Sequence, residues 1–201
     1  AGQVMLFLGD STGFGKQPDW TFIGTRLSQL LGKDLAHIGD INGDGYGDVA
    51  ASVGGSGQGM IFHGNRHGLS RYPVSSLPSA GSSGFNALGV VGDVDKDGYD
   101  DLLVGTPGYY TRSGFGQIDL YKGSMHGIQN TSSWRFNNDS LYPNNPNARP
   151  RLQNIGATIA DRIDINGDGR FDVVSNASGT TINDALSLLH FASDNGSMEV
   201  R

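Results

Sequence analysis

One nine-residue pattern occurs three times in the chain and constrains its fold more than any other feature. Residues 40–48, 93–101 and 164–172 share the pattern D-x-[DN]-x-D-G-x-x-D, which has oxygen-bearing side chains at positions 1, 3, 5 and 9 and glycine at position 6. Ca²⁺ is a hard cation that takes about six to eight oxygen ligands, and alternate residues of a tight loop can direct their oxygens to one centre. The glycine permits a turn where a Cβ would clash. The pattern therefore predicts three calcium-binding loops.

The predicted ligands are the four oxygen-bearing side chains of each loop, together with the backbone carbonyl of the residue at position 7. An aspartate- and glycine-rich turn without metal is the simpler interpretation of one copy, but three copies in register favour calcium. Because the second loop has a fourth carboxylate, we expect it to bind most tightly, an advantage that Lys96 would reduce. The predicted metal-binding residues are Asp40, Asn42, Asp44, Tyr46 and Asp48; Asp93, Asp95, Asp97, Tyr99 and Asp101; and Asp164, Asn166, Asp168, Arg170 and Asp172.

The residues that flank these loops distinguish them from EF-hands. An EF-hand needs a glutamate at position 12 and a helix on each side, whereas position 12 here is Ala51, Val104 or Ser175. Short apolar, partly β-branched segments flank each loop, and such segments favour strands. The loops are therefore predicted to join strands, with the aspartate at position 9 closing each site.

A second motif repeats out of phase with the loops and predicts a further strand in each unit. It begins with Gly-Gln in residues 2–9, 57–64 and 116–123, and a degraded copy occupies residues 185–191. More polar outer strands are expected at residues 71–74 and 133–136. A repeat of more than 50 residues that contains several strands is typical of propeller blades or another repeat array.

The predicted fold class is therefore all-β, with repeated units of four-stranded antiparallel sheets, which as propeller blades would number about three and a half. The whole chain, residues 1–201, is taken as one propeller segment. Its units are a partial one at about residues 1–23 and three complete ones at about 24–79, 80–139 and 140–201.

Composition excludes several functions. Ten of the 20 acidic residues occupy ligand positions of the loops, and three Ca²⁺ would bring the net charge of −6 to about zero, so the acidity belongs to the predicted metal sites. No basic stripe is present, so we expect no nucleic-acid partner. No apolar run approaches the roughly 20 residues of a membrane helix, so direct membrane insertion is not expected. The N-terminus lacks the features of a signal peptide, and the chain opens directly with a predicted strand, which suggests a mature or excised piece.

No catalytic constellation emerges from the remaining residues. The chain has no cysteine, no H-x-x-x-H or H-x-H spacing and no G-x-S-x-G motif. Asp119 interrupts a strand pattern and is expected to face solvent or to support a loop. Four aromatic residues either pack between blades or stack on sugars, and packing is the favoured interpretation. They are Trp20, Tyr109, Tyr110 and Trp134; four N-x-[ST] sequons begin at Asn130, Asn138, Asn176 and Asn195.

The units resemble FG-GAP repeats, the blades of the integrin α-subunit propeller. The "FG" position corresponds to Leu31-Gly32 and Ile155-Gly156, while the second unit departs from it with Gly84-Phe85. The "GAP" position is best matched by 105–107, Gly-Thr-Pro. The resemblance implies a seven-bladed propeller with calcium loops near one rim and ligand binding on the blade-connecting loops. It also implies an extracellular or cell-surface location.

Together these features predict a calcium-binding, non-catalytic module for adhesion to, or recognition of, a protein or glycan. Two other roles remain open at this point: an accessory propeller of a secreted hydrolase or lyase, and a structural repeat of a surface assembly. A propeller needs at least four blades to close, so the remaining blades are expected from a longer protein or from a second copy of the chain.

Overall fold

The structure is a computed structural model that describes residues 2–25, 30–53, 58–77, 87–107, 116–137, 152–179, 186–192 and 198–200. These residues form nineteen strands and no helix, which confirms the all-β fold class. All pairings between named strands are antiparallel; one isolated bridge, between Gly116 and Ile155, is parallel. The described chain accordingly contains no helix long and apolar enough to cross a membrane.

The strands are short, as expected for a glycine-rich chain with many turns. They are β1 (Gln3–Leu6), β2 (Gly9–Asp10), β3 (Gly13–Phe14), β4 (Trp20–Ile23), β5 (Leu31–His37), β6 (Val49–Val53), β7 (Gln58–Phe62), β8 (Gly64–Asn65), β9 (Gly68–Leu69), β10 (Ser75–Leu77), β11 (Ala87–Gly92), β12 (Asp101–Thr106), β13 (Gln117–Tyr121), β14 (Trp134–Asn137), β15 (Leu152–Gln153), β16 (Ile159–Ile163), β17 (Asp172–Gly179), β18 (Leu186–Ala192) and β19 (Met198–Val200).

Three full sheets follow one another along the chain. The first sheet has the order β5-β6-β7-β10 and the second has the order β11-β12-β13-β14. The third contains β17-β18-β19, with both β15 and β16 paired to β17. An N-terminal pair, β1 with β4, precedes them, and the small hairpins β2-β3 and β8-β9 extend two of the turns. Each full sheet is thus an antiparallel meander of the kind that forms a propeller blade.

The Gly-Gln strands lie where the repeat predicts them, as β1, β7 and β13, but one outer strand is shifted. The second sheet ends with Trp134–Asn137, close to the predicted segment. In the first sheet the outer strand is Ser75–Leu77 rather than residues 71–74. Pro73 has no N–H to donate, so regular pairing begins only after it, with Val74 N–H donating to the Ile61 carbonyl at 2.9 Å.

The hydrophobic core consists of three clusters, and each lies between two neighbouring sheets. The central strand β12 is buried along its whole length because its two faces serve different clusters. Leu102 and Val104 join the cluster shared with the first sheet, while Leu103 joins the one shared with the third. Successive strand residues point to opposite faces, so this division requires that the sheets stack face to face. The stacked arrangement is the one expected for successive propeller blades.

Two "FG" glycines lie where one sheet approaches the next, and both the backbone conformation and the close approach require glycine. Gly32 and Gly156 both adopt positive φ, at 80° and 78°, a region that favours glycine. A Cβ on Gly32 would lie 3.0 Å from the Gln3 carbonyl oxygen, and one on Gly156 would lie 2.7 Å from that of Gln117. Each "FG" glycine therefore lets its sheet approach the Gly-Gln strand of the preceding sheet.

The aromatic residues that the structure describes pack between sheets. Trp20 contacts Phe22 at 6.3 Å and Phe62 at 5.3 Å between ring centroids, so it joins the N-terminal pair to the first sheet. Trp134 stacks on Phe136 at 6.2 Å and borders the cluster between the second and third sheets. These contacts support packing rather than sugar stacking; Tyr109, Tyr110 and the sequon residues Asn138 and Asn195 lie outside the described residues.

The expectation that Asp119 faces solvent is wrong. Asp119 lies in β13 and is only 2% exposed. Its Oδ1 accepts a hydrogen bond from Arg135 Nε at 2.6 Å, and its Oδ2 accepts one from Gln117 Nε2 at 2.7 Å. Strand pairing places Arg135 directly opposite Asp119 on β14. A buried carboxylate needs such partners, and the register between the strands provides them.

Candidate metal centre

The three loops occupy the same place in their sheets. Residues 40–48 join β5 to β6, residues 93–101 join β11 to β12, and residues 164–172 join β16 to β17. In each case the loop connects strands that pair with one another. The prediction that the loops join strands therefore agrees with the fold, and all three lie at equivalent ends of stacked sheets.

The carboxylate at position 1 organises the first half of each loop. Asp40 accepts hydrogen bonds from the N–H groups of Asp44 at 3.0 Å and Gly45 at 2.7 Å. Asp93 accepts the same pair, from Asp97 at 2.9 Å and Gly98 at 2.7 Å. Asp164 does likewise with the N–H groups of positions 5 and 6, at 3.1 and 2.9 Å. This repeated geometry holds the loop in a tight turn around the carboxylate.

Positions 3 and 5 close the turn. The carboxylate at position 5 accepts the N–H of position 7 in every loop, at 2.9 Å in the first, 3.1 Å in the second and 3.0 Å in the third. In the first and third loops the asparagine at position 3 donates its amide N–H to that carboxylate at 3.0 Å. The side chains of the predicted ligands therefore fold inward over a common backbone frame.

The aspartate at position 9 is the buried member of each set. Asp48, Asp101 and Asp172 are fully buried, and each accepts the N–H of position 2, at 3.1, 3.1 and 2.6 Å. The first two also accept an N–H from the strand beyond, from Gly64 at 2.8 Å and Gly123 at 2.9 Å. Burial raises the pKa of Asp101 to about 6 and also raises the pKa of Asp48. Removing these carboxylates from water is unfavourable unless a positive charge compensates them.

The second loop gathers the densest set of carboxylates. Ligand-type oxygens of Asp93, Asp95 and Asp101 all lie within 4.8 Å of one another, and in the described part of the chain no other group of three acidic or histidine side chains meets this closely. Desolvation raises the pKa of Asp97, with the nearby charges of Asp95 and Asp93 adding to the effect. Such a concentration of anionic oxygens fits a hard divalent cation.

Two buried oxygens support the fit to a metal. Asp95 Oδ1 and Asp172 Oδ1 are both buried and have no hydrogen-bond partner among the described residues. A buried carboxylate oxygen without a partner carries a desolvation penalty, and a cation would remove it. The residues present therefore fit a calcium ion in the second and third loops, and the shared frame extends the same fit to the first.

Lys122 contacts the second loop but lies outside the loop pattern. Its ammonium group forms an ion pair with Asp95 Oδ2, and the two side chains are 28% and 21% exposed. The hydrogen bond from Lys122 lowers the pKa of Asp95, and the same bond raises the pKa of Lys122. Lys122 comes directly after β13, far from the loop in sequence, so only a prediction of strand register would have found it.

The first two loops also contact each other. Asp100, at position 8 of the second loop, accepts a hydrogen bond on Oδ2 from Asp40 N–H at 2.8 Å. Its own N–H donates to the Asp40 carbonyl at 3.0 Å. A residue outside the predicted ligand set thus holds the first predicted ligand of the neighbouring loop.

The structure brings the predicted side-chain ligands of each loop to one turn, most closely at positions 1, 3 and 9 of the second loop. At position 7 the N–H groups of Tyr46, Tyr99 and Arg170 are engaged by the loop, and the role of their carbonyls as ligands stays a prediction. Stacked antiparallel sheets whose connecting loops carry buried carboxylates define the chain as a propeller-blade protein with acidic, metal-type loops.

Comparison with known proteins specifies the class further. Residues 85–121 match the family model for the FG-GAP repeat. The chain is 40% identical to integrin alpha-IIb of Mus musculus over 120 residues, which is 53% of this chain and 11% of that protein. It is 32% identical to integrin alpha-8 of Homo sapiens over 133 residues, 60% of this chain and 12% of that protein. It is also 39% identical to integrin alpha-PS5 of Drosophila melanogaster over 88 residues, 39% of this chain and 9% of that protein.

These matches confirm the resemblance: the chain carries an FG-GAP repeat and is related to integrin α subunits. The matched FG-GAP segment contains the whole second loop, together with β11, β12 and β13. The chain spans only about a tenth of the length of the curated relatives it matches.

Proposed function

We propose that the chain is a calcium-binding, non-catalytic propeller segment that serves adhesion or recognition at the cell surface or outside the cell. The observation that carries this proposal is the second loop, where three carboxylates converge within 4.8 Å inside the segment that matches the FG-GAP repeat. The relationship to integrin α subunits supports the adhesive role and the extracellular location. The ligand that we propose is a protein or glycan bound on the loops that connect the blades.

The metal in this proposal has a structural role. Each Ca²⁺ would be held by the side chains at positions 1, 3, 5 and 9 of one loop, giving three sites. It would neutralise carboxylates such as Asp48 and Asp101 that the fold buries. Because the loop joins two paired strands, closing it also fixes the edge at which neighbouring sheets meet. Binding of this kind adds directly to the free energy of unfolding.

Calcium removal tests the metal part of the proposal. EDTA should lower the melting temperature of the chain by roughly 15 °C or more, and added calcium should restore it, because three saturated sites each contribute a few kcal/mol. Calorimetric titration should count three sites, and Asp97→Ala should reduce the count to two. Asp10→Ala is the matched control, since Asp10 is an exposed aspartate in a turn outside the loops. An unchanged melt in EDTA contradicts the metal assignment, and three sites in Asp97→Ala contradict that of the second loop.

Recognition requires a separate test on the calcium-loaded chain. Immobilised chain is presented with purified extracellular-matrix proteins and with a glycan array, in calcium and in EDTA. The proposal expects calcium-dependent binding to at least one of these probes. If a folded, calcium-loaded chain binds none of them and assembles into regular arrays by electron microscopy, the role as a structural repeat replaces adhesion. A catalytic domain elsewhere in the full-length protein would favour the accessory role.

The remaining blades form the last part of the proposal. The described residues form three full sheets, one N-terminal strand pair and two small hairpins, whereas ring closure takes at least four blades. We propose that the rest of a longer protein completes the ring, with a second copy of the chain as the alternative. Light scattering in calcium buffer separates the two: twice the chain mass favours a shared ring. A stably folded, strictly monomeric chain without exposed apolar surface contradicts both.

A further inference from the structure

The three loops differ in charge at one ligand position. Position 3 is Asn42 in the first loop, Asp95 in the second and Asn166 in the third. The side chains at positions 1, 3, 5 and 9 therefore carry formal charges of −3, −4 and −3. An extra carboxylate increases the attraction for Ca²⁺, but it also increases repulsion among the loop's own oxygens when no metal is bound.

The first two loops differ at position 3, and they also differ in the residue that contacts position 3. In the first sheet Val49 pairs with Phe62, and in the second Leu102 pairs with Tyr121, so His63 and Lys122 occupy equivalent positions. Both contact position 3 of their own loop. His63 Nδ1 lies 3.1 Å from Asn42 Nδ2, and the Lys122 ammonium forms an ion pair with Asp95 Oδ2.

The ion pair makes Asp95 resemble the asparagine of the other loops. An asparagine offers one oxygen to a metal, and its other terminal atom is a nitrogen that carries hydrogens. In the second loop Asp95 Oδ2 is occupied by the Lys122 ammonium, while Oδ1 is buried and has no hydrogen-bond partner among the described residues. The pair therefore presents a single free oxygen, as an amide does. Including Lys122, the side chains at positions 1, 3, 5 and 9 of the second loop and their contact carry −3, the same charge as the side chains at these positions in the first and third loops.

We propose that Lys122 is the built-in counter-charge of the second loop, holding Asp95 as a one-oxygen ligand and keeping this loop's calcium affinity close to that of the other two. This inference rests on the proposed calcium function. The sequence alone predicts that four carboxylates make the second loop the tightest calcium site and that Lys96 reduces this advantage. The inference replaces both expectations. Lys96 is exposed and forms no ion pair among the described residues, whereas Lys122 is mostly buried against a ligand. Partly buried charges are screened less by salt and water.

Two opposite effects distinguish a counter-charge from an ordinary stabilising contact. Lys122→Met keeps the length of the side chain and removes its charge. Without metal it should unfold at a lower temperature than the parent chain, because Asp95 loses its cationic partner and the four carboxylates of the loop lose the charge that offsets their repulsion. With calcium the same variant should bind roughly tenfold more tightly at one site, since a positive charge beside a divalent ion has been removed. If the contact had a merely structural role, its loss would lower both the melting temperature and the calcium affinity.

The experiment is a calorimetric calcium titration of the full chain, combined with melting curves in EDTA and in calcium. Lys96→Met is the matched control, and we expect it to change affinity by less than about twofold, because Lys96 is exposed to solvent. Lys122→Gln keeps a hydrogen-bond donor without the charge, and it should behave as Lys122→Met does. The gain in affinity should disappear in an Asp101→Asn background, which assigns it to the second loop.

The outcomes separate this inference from the proposed function. If the parent chain takes up calcium at three sites but Lys122→Met binds with unchanged or weaker affinity, the counter-charge is contradicted and the calcium function stands. If Lys122→Gln retains parental affinity while Lys122→Met does not, the hydrogen bond rather than the charge matters, and the inference is again overturned. If the parent chain binds no calcium, both fail. Should Lys122→Met not fold without metal, the titration of Lys122→Gln decides.

Discussion

At the ends of the sheets that carry the acidic loops, the contact between the first and second sheets is polar, whereas the contact between the second and third is apolar. At the first, Asp100 makes two hydrogen bonds to the backbone of Asp40, and Ser124 N–H donates to the Ile41 carbonyl at 3.1 Å. At the second, the equivalent loop residue is Phe171, whose ring would lie 3.1 Å from a Cβ on Gly92.

In the second and third loops, position 8 contacts the preceding loop or the strand that leads into it. It is Gly47, Asp100 or Phe171 in the three copies, and none of these is a predicted ligand. Hydrogen bonds are directional, so the Asp100 contact fixes the position of Asp40, the first predicted ligand of the neighbouring loop. Phe171 supplies apolar contact without this directional restraint. Position 8 therefore links the first and second loops through two hydrogen bonds, whereas it joins the second and third through an aromatic ring.

The largest loss of stability is expected from a substitution that crowds the polar contact between the first two sheets. In Gly123→Ala the added methyl group would overlap the Asp100 carbonyl oxygen and would lie 2.9 Å from that of Ile41. Because both neighbours are backbone atoms, relief requires that the second sheet's own loop shifts and that its contact with the first sheet opens. We expect a loss of about 4 kcal/mol or more in the free energy of unfolding. Denaturant unfolding measures it. In the control Gly15→Ala the methyl group makes only an ordinary contact, 3.5 Å from the Gln17 carbonyl oxygen, and an equal loss there would contradict the explanation.

A pair of core truncations compares the two junctions directly. Leu102 and Leu103 are adjacent and both fully buried, but they face the first and the third sheet respectively. Each change to alanine should cost about 3 kcal/mol through lost burial and a residual cavity. Hydrogen exchange should then show increased opening of the first sheet in Leu102→Ala and of the third sheet in Leu103→Ala. Identical exchange patterns would mean that the sheets do not open separately.

Asp100→Ala should have an intermediate effect. It removes the acceptor of the Asp40 N–H and should cost about 2 kcal/mol, because a backbone donor loses a charged partner. Calcium affinity should fall at the first loop more than at the second, although Asp100 belongs to the second. Asp100→Asn keeps an acceptor oxygen at the same place and should recover most of the loss. If affinity falls only at the second loop, the proposed link between the loops is wrong.

The parts of this architecture that sequence predicts are those set by local spacing. The loops, their flanking strands and the Gly-Gln strands arise from patterns within nine or ten residues, and the structure places them accordingly. The contacts that distinguish the loops join residues far apart in the chain: Lys122 and Asp95 are 27 residues apart, and Asp40 and Asp100 are 60 apart. Such pairs depend on strand register and sheet stacking. The same reason accounts for Asp119, whose partner Arg135 lies on the next strand.

The smallest expected change is in how stability depends on pH, and it involves the buried aspartates of the first two loops. In calcium-free protein, burial raises the pKa of Asp101 to about 6 from an ordinary value of 3.8. Between these values the folded state binds a proton that the unfolded state does not, so stability increases as pH falls and is lost as pH rises through 6. From pH 7 to pH 5 we expect a gain of roughly 1 kcal/mol from Asp101. Burial raises the pKa of Asp48 as well, so the first loop should show the same direction.

Urea unfolding in EDTA at pH 5 and pH 7 measures this gain, and Asp101→Asn and Asp48→Asn should each reduce it. The pKa of Asp95 is lowered by Lys122, so the stability it contributes is lost only as pH falls below 3.8, outside the measured window. In calcium the dependence should reverse, because the metal requires ionised carboxylates and protonation of Asp101 releases it. A calcium-loaded protein that is more stable at pH 5 than at pH 7 would show that Asp101 is not a ligand. Asp100→Ala is expected to perturb the first loop most. Urea unfolding of this variant at pH 5 and pH 7 therefore tests whether the contact through Asp100 also couples the protonation of Asp48 to that of Asp101.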